Sequence, residues 1–565
     1  MKEKIKKRIL PTLLISCLAP LIIFLSTPFD IYAGNYNEFV FSLSNFYFVC
    51  VGFFFAVFAV LFFALLFLPK KVYKVASAII LAFSFMMFLQ SLFLNGNLST
   101  LSGDGEGKAI STATKVVNIC IWVAVLGGFV ALALIPDKKG IVSLVALVLA
   151  VAIFVANIIT PVTAAVTHPA MFSSVEDRQK GQDDKYKHML LTNKNLTSAR
   201  QDGNIFVFCV DKFDEEWLEY VYEQKPQLFD TLNDFTWFQD HVSRYGHTYP
   251  SIANMLTETP YVTEQDSSRV AFLNRSFDNA PSLKILHNEG WKINLYTEKF
   301  YAYSDAAYLP DWIDNKADVG RYQVTSSANI SWNFAKLGLY RTLPFVFKDF
   351  LSDVSSETFS NVIREWDKDG NEQYSAVNDT VNAWTDTDFS LLEGKGFYFI
   401  HTQGMHNAYQ IEKRVPLFEE TVTIINRYIT FLKQNGLYNS ATIIITGDHG
   451  NGTPYNKTEL KNSVRTGMFI KPAGASHNEM AVSQAQTSHT QLWTTILEAA
   501  GAENGKDYGV SILETPEGVD MERQFMWHTY NCDIIEFQYV IHGSARDFSH
   551  WECTSTKKYT WRITD

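Results

Sequence analysis

Two acidic residues and a histidine stand in this chain where buried strands should end, the kind of place where a divalent cation finds ligands. Asp211 follows the apolar run 205–210, and Gly447, Asp448, His449 and Gly450 follow the run 441–446. Carboxylates and an imidazole are hard and borderline ligands, and flanking glycines let the backbone approach closely. An Asp after a strand is also a common helix cap, so Asp211 carries weight only in company. That company includes Gly246-His247-Thr248-Tyr249-Pro250-Ser251, which opens a helix-like stretch. A hydroxyl there can be a simple cap. Beside a cation its proton is acidified, and the positive end of the helix favours an incoming phosphate, so the same position suits a nucleophile.

A further motif, Phe399-Ile400-His401-Thr402-Gln403-Gly404-Met405-His406, again closes a strand-like run. His406, in a loop after a glycine, is placed to contact an anionic substrate or to protonate a leaving oxygen. His401 is another substrate-binding candidate, with a satisfied structural histidine as the plainer alternative. His489, in Ser488-His489-Thr490-Gln491 ahead of a helix, is a third.

Such groups need a rigid frame to meet. From residue 204 onward, short apolar runs (205–210, 292–296, 396–400 and 441–445) alternate with amphipathic stretches such as 417–435 and 491–500. That alternation predicts a mostly parallel sheet with helices on both faces, an α/β/α domain whose sites collect at the carboxyl ends of its strands. Asp214 reads as the cap of a helix beginning at Glu215. After about residue 514 the chain becomes aromatic and alternating, which predicts a β-rich extension over 514–565.

The first 164 residues obey another solvent. The chain is 47% hydrophobic and 19% charged, and the apolar excess gathers there. Five runs, 9–27, 45–68, 72–94, 116–135 and 141–160, each reach the roughly 20 residues that cross a hydrocarbon layer as a helix. Lysine and arginine collect before the first run, at Lys70, Lys71 and Lys74, and at Lys138 and Lys139, which are alternate ends. The N-terminus is therefore expected in the cytoplasm, with everything after the fifth run outside a plasma membrane. No ionisable residue lies mid-run to carry protons or ions, so anchoring is the expected role. Residues 165–203 read as a juxtamembrane helix and linker, dividing the chain into 1–164, 165–203, 204–513 and 514–565. A net charge of -11 argues against nucleic acid as a partner. Of six cysteines, Cys17, Cys50 and Cys120 lie in apolar runs and Cys209 in a strand, while Cys532 and Cys553 flank a hairpin-like stretch and would pair in an oxidising space.

Taken together, Asp after the first strand, Thr-x-Pro-Ser at a helix start, His-Thr-x-Gly-x-His, Gly-Asp-His-Gly and a late Ser-His resemble the alkaline phosphatase and sulfatase superfamily. With five preceding spans, the chain is most similar to its membrane branch, the lipoteichoic acid synthases and phosphoethanolamine transferases. The resemblance implies that Thr248 forms a covalent phospho-enzyme, that Asp211, Thr248, Asp448 and His449 hold one divalent metal ion (Zn, Mn or Mg), and that His406 contacts phosphate, with His401 and His489 beside it. It also implies a membrane lipid donor and a glycan or lipid acceptor. Sulfatases resemble Cys-x-Pro-Ser-Arg, whereas here Thr248 and Ile252 stand at the first and last positions, which argues against ester sulfate hydrolysis through formylglycine. They also tend to pair two Asp after the first strand, whereas Lys212 follows Asp211, implying a single-metal site. The expected activity is transfer of a phosphoglycerol or phosphoethanolamine-type group from a lipid to an exported glycan or lipid. Hydrolysis by the same site and a non-catalytic lipid sensor are the rival readings.

Overall fold

In a computed structural model the chain separates into two compact units, Met1–Lys187 with Tyr322–Arg364, and His188–Arg321 with Glu365–Asp565. The structure describes residues 2–36, 39–95, 111–136, 140–173, 177–178, 188–266, 269–348, 350–351, 362–377, 389–452, 454–456, 459–460, 464–502, 509–528 and 534–559.

Among the described residues of the first unit, five helices are long and apolar enough to cross a membrane: Arg8–Asn35, Tyr47–Leu66, Lys70–Leu94, Thr112–Leu134 and Ile141–Thr167. Each coincides with an expected run, although the first continues past residue 27 to Asn35. Arg8 donates through Nη1 to the Leu68 carbonyl at 2.9 Å, which sets the first two helices in register at one end.

The second unit is built on a seven-stranded sheet. Its strands are β1 (Gly203–Val210), β2 (Thr236–Phe238), β3 (Trp291–Tyr296), β4 (Lys395–Thr402), β5 (Thr442–Gly447), β6 (Met468–Lys471) and β7 (Ala481–Ser483). They lie in the order β7-β2-β6-β5-β1-β4-β3. β5, β1, β4 and β3 run parallel, and β6 is antiparallel to both of its neighbours. Helices α1 (Glu215–Gln224) and α2 (Thr248–Thr257) follow β1 in the chain. The chain then leaves this unit for α3 (Ser327–Thr342) and α4 (Phe345–Lys348), and returns for α5 (Ile411–Gln434) and α6 (Leu492–Ala500).

β1 shows why its sequence is apolar without interruption. Phe206, Phe208 and Val210 pack with Trp217 and Leu218 of α1 and with Ile425 of α5, on one face. Ile205, Val207 and Cys209 pack with Ile252 and Met255 of α2 and with Trp493 and Ile496 of α6, on the other. Alternate side chains enter two cores, so neither set can be polar.

Two expected boundaries move. Residues 322–364, expected inside the catalytic domain, belong to the first unit. There Ile330, Phe334 and Leu337 of α3 bury against Phe29, Tyr32 and Phe46, with Phe334 stacked on Phe46 at 4.2 Å. The described end of the 165–203 linker is strand rather than helix, because pairing satisfies its backbone. Met189–Leu191 pairs with the strand Lys316–Val324, and Ser198–Arg200 runs parallel to Ser390–Leu392. At the C-terminus, β8 (Arg523–His528), β9 (Ile534–Ile541) and β10 (Trp551–Tyr559) form an antiparallel sheet. Cys553 lies on β10, while Cys532, and with it the expected disulfide, falls outside the described residues.

The close fit around the end of β5 is testable. A Cβ at Gly447 would collide with the Thr466 side chain and stand 2.6 Å from Phe213 Cβ and 3.1 Å from its backbone nitrogen. Gly447→Ala should destabilise the second unit by about 1–3 kcal/mol, as overpacking of a fixed backbone does. A thermal melt of the purified full chain would read this as a lower midpoint, and an unchanged melt would disprove the tight fit.

Candidate active site

The register of three parallel strands brings the candidate ligands to one level. Val210 of β1 is opposite Thr402 of β4 and Gly447 of β5, so Asp211, Gln403 and Asp448 follow side by side. Asp211 N donates to the Thr402 carbonyl at 2.9 Å, which holds the first of these exits against β4. The start of α2 is drawn in as well, since Ser251 Oγ donates to the Asp448 carbonyl at 2.5 Å. Tyr249 is extended (φ −88°, ψ 143°), so the regular helix begins only at Pro250 and Thr248 stands ahead of it.

Asp211, Asp448 and His449 are all buried, and one ligand atom from each lies within 4.8 Å of the others. His449 Nε2 is 3.4 Å from Asp448 Oδ2 and 4.0 Å from Asp211 Oδ1. Thr248 Oγ1 is 3.4 Å from the same Nε2. Ligand atoms about 2.1 Å from a tetrahedral ion stand about 3.4 Å apart, so two of these separations already match and the third is wider.

The hydrogen bonds select which atoms face inward. Asp448 Oδ1 accepts from the backbone N–H groups of Lys212 and His449, each at 2.8 Å, and Asp211 Oδ2 is paired with His406 Nδ1 at 2.9 Å. That leaves Asp211 Oδ1 and Asp448 Oδ2 buried without a hydrogen-bond partner. His449 Nδ1 faces the Gly450 carbonyl at 2.6 Å; as a carbonyl can only accept, Nδ1 carries the proton and Nε2 presents its lone pair. Two orphaned carboxylate oxygens, an imidazole lone pair and a hydroxyl fit a divalent cation, which would be held by Asp211, Asp448, His449 and Thr248.

The electrostatics agree with that fit. Burial pushes both carboxyls up, and for Asp448 it prevails. For Asp211 burial is outweighed by the hydrogen bond and charge of His406, so its carboxyl ends below the ordinary range. His406 is raised in turn, chiefly by that hydrogen bond.

The other expected residues divide. His406 is 41% exposed in its side chain and borders an open cleft of about 300 Å³ that Asp211, Glu298, Tyr301, His401 and Gln403 also line. His401 is buried, its ring edge-on to Tyr301 at 5.4 Å, with both ring nitrogens lacking a hydrogen-bond partner. His489, expected at the substrate, is instead buried behind β5 and does not line the cleft. Its Nε2 is 3.3 Å from Thr446 Oγ1, its ring is 5.0 Å from that of His241, and burial lowers its pKa to about 3. Buried in that wall, His489 is not placed to contact an anion in the cleft. Asp214 is the cap of α1, accepting from the Glu216, Trp217 and Asn451 backbone. Glu298 and Tyr301 escaped the sequence reading, although Glu298 lies two residues past the end of β3, where the strand-end rule directs attention.

The cation site predicts linked stability. Chelation should lower the melting temperature of the purified full chain, and Mn, Zn or Mg should restore it. A cation at 100 times its Kd adds about 2.7 kcal/mol, a shift of a few degrees for a domain of this size. Asp448→Asn should abolish the restoration. A melt indifferent to chelator, with no bound metal by elemental analysis, would dismiss the site.

No curated protein matches the chain. Solved structures similar to it include a phosphonate monoester hydrolase from Silicibacter pomeroyi, with 14% identity over 61% of this chain and 87% of that one at a TM-score of 0.36. A sulfatase from Pseudoalteromonas sp. gives 15% identity over 63% and 82% at 0.38. A protein in the alkaline phosphatase superfamily from Vibrio parahaemolyticus gives 10% over 66% and 85% at 0.35. Residues 204–502, more than half of the 565, match the family model for sulfatases, and the chain belongs to the sulfatase family.

Proposed function

We propose that this chain is a membrane-bound transferase that moves a phosphoglycerol or phosphoethanolamine-type group from a lipid to an exported glycan or lipid, through a phospho-threonine on Thr248. The observation that carries this reading is the placement of Thr248 Oγ1 3.4 Å from His449 Nε2, the same nitrogen that lies 3.4 Å and 4.0 Å from the two orphaned carboxylate oxygens. The cation, when bound, supplies positive charge that favours the alkoxide and offsets the phosphate oxygens. Thr248 Oγ, as the alkoxide, attacks phosphorus and the bond from phosphorus to the diacylglycerol oxygen breaks; in the second half the acceptor oxygen attacks and the bond from phosphorus to Oγ breaks, which returns the alkoxide. His406, whose Nδ1 is held by Asp211, has Nε2 left to give a proton to the departing oxygen and to recover one from the acceptor hydroxyl in the second half.

The Lys and Arg distribution supports a cytoplasmic N-terminus and an extracytoplasmic catalytic unit, where lipid head groups and exported polymers are both within reach. Tethering beside the bilayer raises the effective concentration of a lipid donor. The family match favours a second reading, in which water takes the place of the acceptor and the chain is a phosphodiesterase.

Thr248→Ala should reduce diacylglycerol release from labelled phospholipid by about 10³-fold or more. Thr248→Ser, which keeps a hydroxyl, should retain part of the activity and carry the labelled phosphoryl group on serine. Undiminished release by the alanine variant would remove Thr248 from the reaction. Product analysis in purified vesicles separates the two readings: free phosphoglycerol or phosphoethanolamine appearing as fast as lipid is consumed, with acceptor present, would identify a hydrolase.

A further inference from the structure

We infer that α3 and α4, with Phe350 beyond them, form an interfacial segment embedded in the bilayer surface, a membrane contact additional to the five spans. This rests on the reading of those spans as crossing a membrane, and not on the catalytic assignment.

Depth along the helices carries the argument. The Arg8 to Leu68 hydrogen bond places one end of the first two spans at a common level, and the third begins next to it at Lys70. From that level about 20 residues, or about 30 Å of helix, cross a hydrocarbon core and arrive near Pro28, Phe48 and Gln90. Gln90 Oε1 accepts from Asn118 Nδ2 at 2.8 Å and Trp122 Nε1 at 3.0 Å, so the fourth span reaches the same depth there. These residues mark the far boundary of the hydrocarbon.

The inserted segment meets the bundle at this boundary, one span after another. Ser331 Oγ donates to the Phe46 carbonyl at 2.8 Å, at the start of the second span. Gly338 lies so close to the first that a Cβ would stand 3.2 Å from the Ile23 carbonyl and 3.4 Å from Thr27 Cβ. Asn95, just past the third, donates to the Arg341 carbonyl at 2.8 Å, and Phe345 N donates to Asn118 Oδ1 of the fourth at 3.0 Å. A segment of two consecutive helices whose turns touch four spans near that boundary runs across their ends, along the plane of the membrane surface.

Its remaining face is what a lipid interface requires. Trp332 is 47% exposed, Phe347 48% and Phe350 82%. Lys336 and Arg341 of α3 are partly exposed, and basic side chains suit an anionic head-group layer, while Lys348 is buried and donates to Asn95 Oδ1 at 2.8 Å. At that depth, lipid is the neighbour available to aromatic side chains turned away from the bundle, and aromatic rings with basic partners are characteristic of the interface.

Photo-crosslinking of the full chain in its own membranes tests this. p-Benzoylphenylalanine is placed separately at Phe347, at Phe350 and at Trp332, with Phe55, mid-span and 59% exposed, as the reference for lipid contact. Phospholipid adducts by mass spectrometry at Phe350 and at one or both of the others, with a yield within a few-fold of Phe55, are expected. Adducts at Phe55 but none at the three sites would overturn the inference while leaving the spans intact, and adducts of twice the chain mass there would assign the face to a second copy instead. Absence of adducts at Phe55 as well would overturn the membrane reading and this inference with it.

Discussion

Two buried carboxylate oxygens with nothing to bond, Asp211 Oδ1 and Asp448 Oδ2, set the terms for the catalytic unit. Removing an ionised carboxylate from water costs several kcal/mol even after relaxation, and two like charges in one pocket add repulsion. A fold tolerates that arrangement when a cation balances it. The surrounding bonds point the same way: the outward oxygens are taken by Lys212 N, His449 N and His406, and the His449 ring is turned by Gly450 so that its lone pair joins them. Each bond removes an alternative partner from the inward oxygens. The sheet supplies the precision, because β1 and β5 are locked in register over six residue pairs before they release Asp211 and Asp448.

The hydroxyl is governed by the same frame. A threonine at a helix start ordinarily spends its oxygen on capping N–H groups. Here the regular helix starts at Pro250 behind an extended Tyr249, and Thr248 Oγ1, ahead of both, turns to His449. The helix is secured by Ser251 rather than by Thr248, through its bond to the Asp448 carbonyl. Division of labour between two neighbouring hydroxyls frees one for chemistry.

What could be read beforehand was whatever a local pattern encodes. Asp211, Asp448 and His449 were legible because unbroken apolar runs announce buried parallel strands, and parallel strands of one sheet end together. Glu298 obeys the same rule after β3 and was passed over for want of a motif around it. The burial of His489 is not legible, because a histidine before a helix looks alike whether it faces solvent or a wall. Only tertiary contacts with Thr446 and His241 decide that. The membership of 322–364 in the first unit was not legible for a different reason. α3 has 16 residues, too few to cross a hydrocarbon core and ordinary for a soluble amphipathic helix, so nothing in its period distinguishes the two surroundings.

Lys212 shows how a departure from family pattern can be read as charge accounting. Two carboxylates and a divalent cation would sum to zero, so the diester of the proposed reaction would be met by the positive charges around it, those of His406 and Lys212. Where sulfatases tend to have a second acidic residue, this chain has a base with a left-handed backbone, φ +53°, a conformation that costs a non-glycine residue about 1 kcal/mol or more. That backbone turns the Lys212 N–H onto Asp448 Oδ1, while its ammonium lies against Tyr409, hydrogen-bonded to the hydroxyl and 4.3 Å from the ring centre. The strained residue thus serves the cluster twice, fixing one ligand by its main chain and holding a positive charge on the loop that carries His406. A second acid in its place would call for a second cation; a lysine brings a positive charge covalently, which suits the one cation and singly charged diester of the proposed reaction.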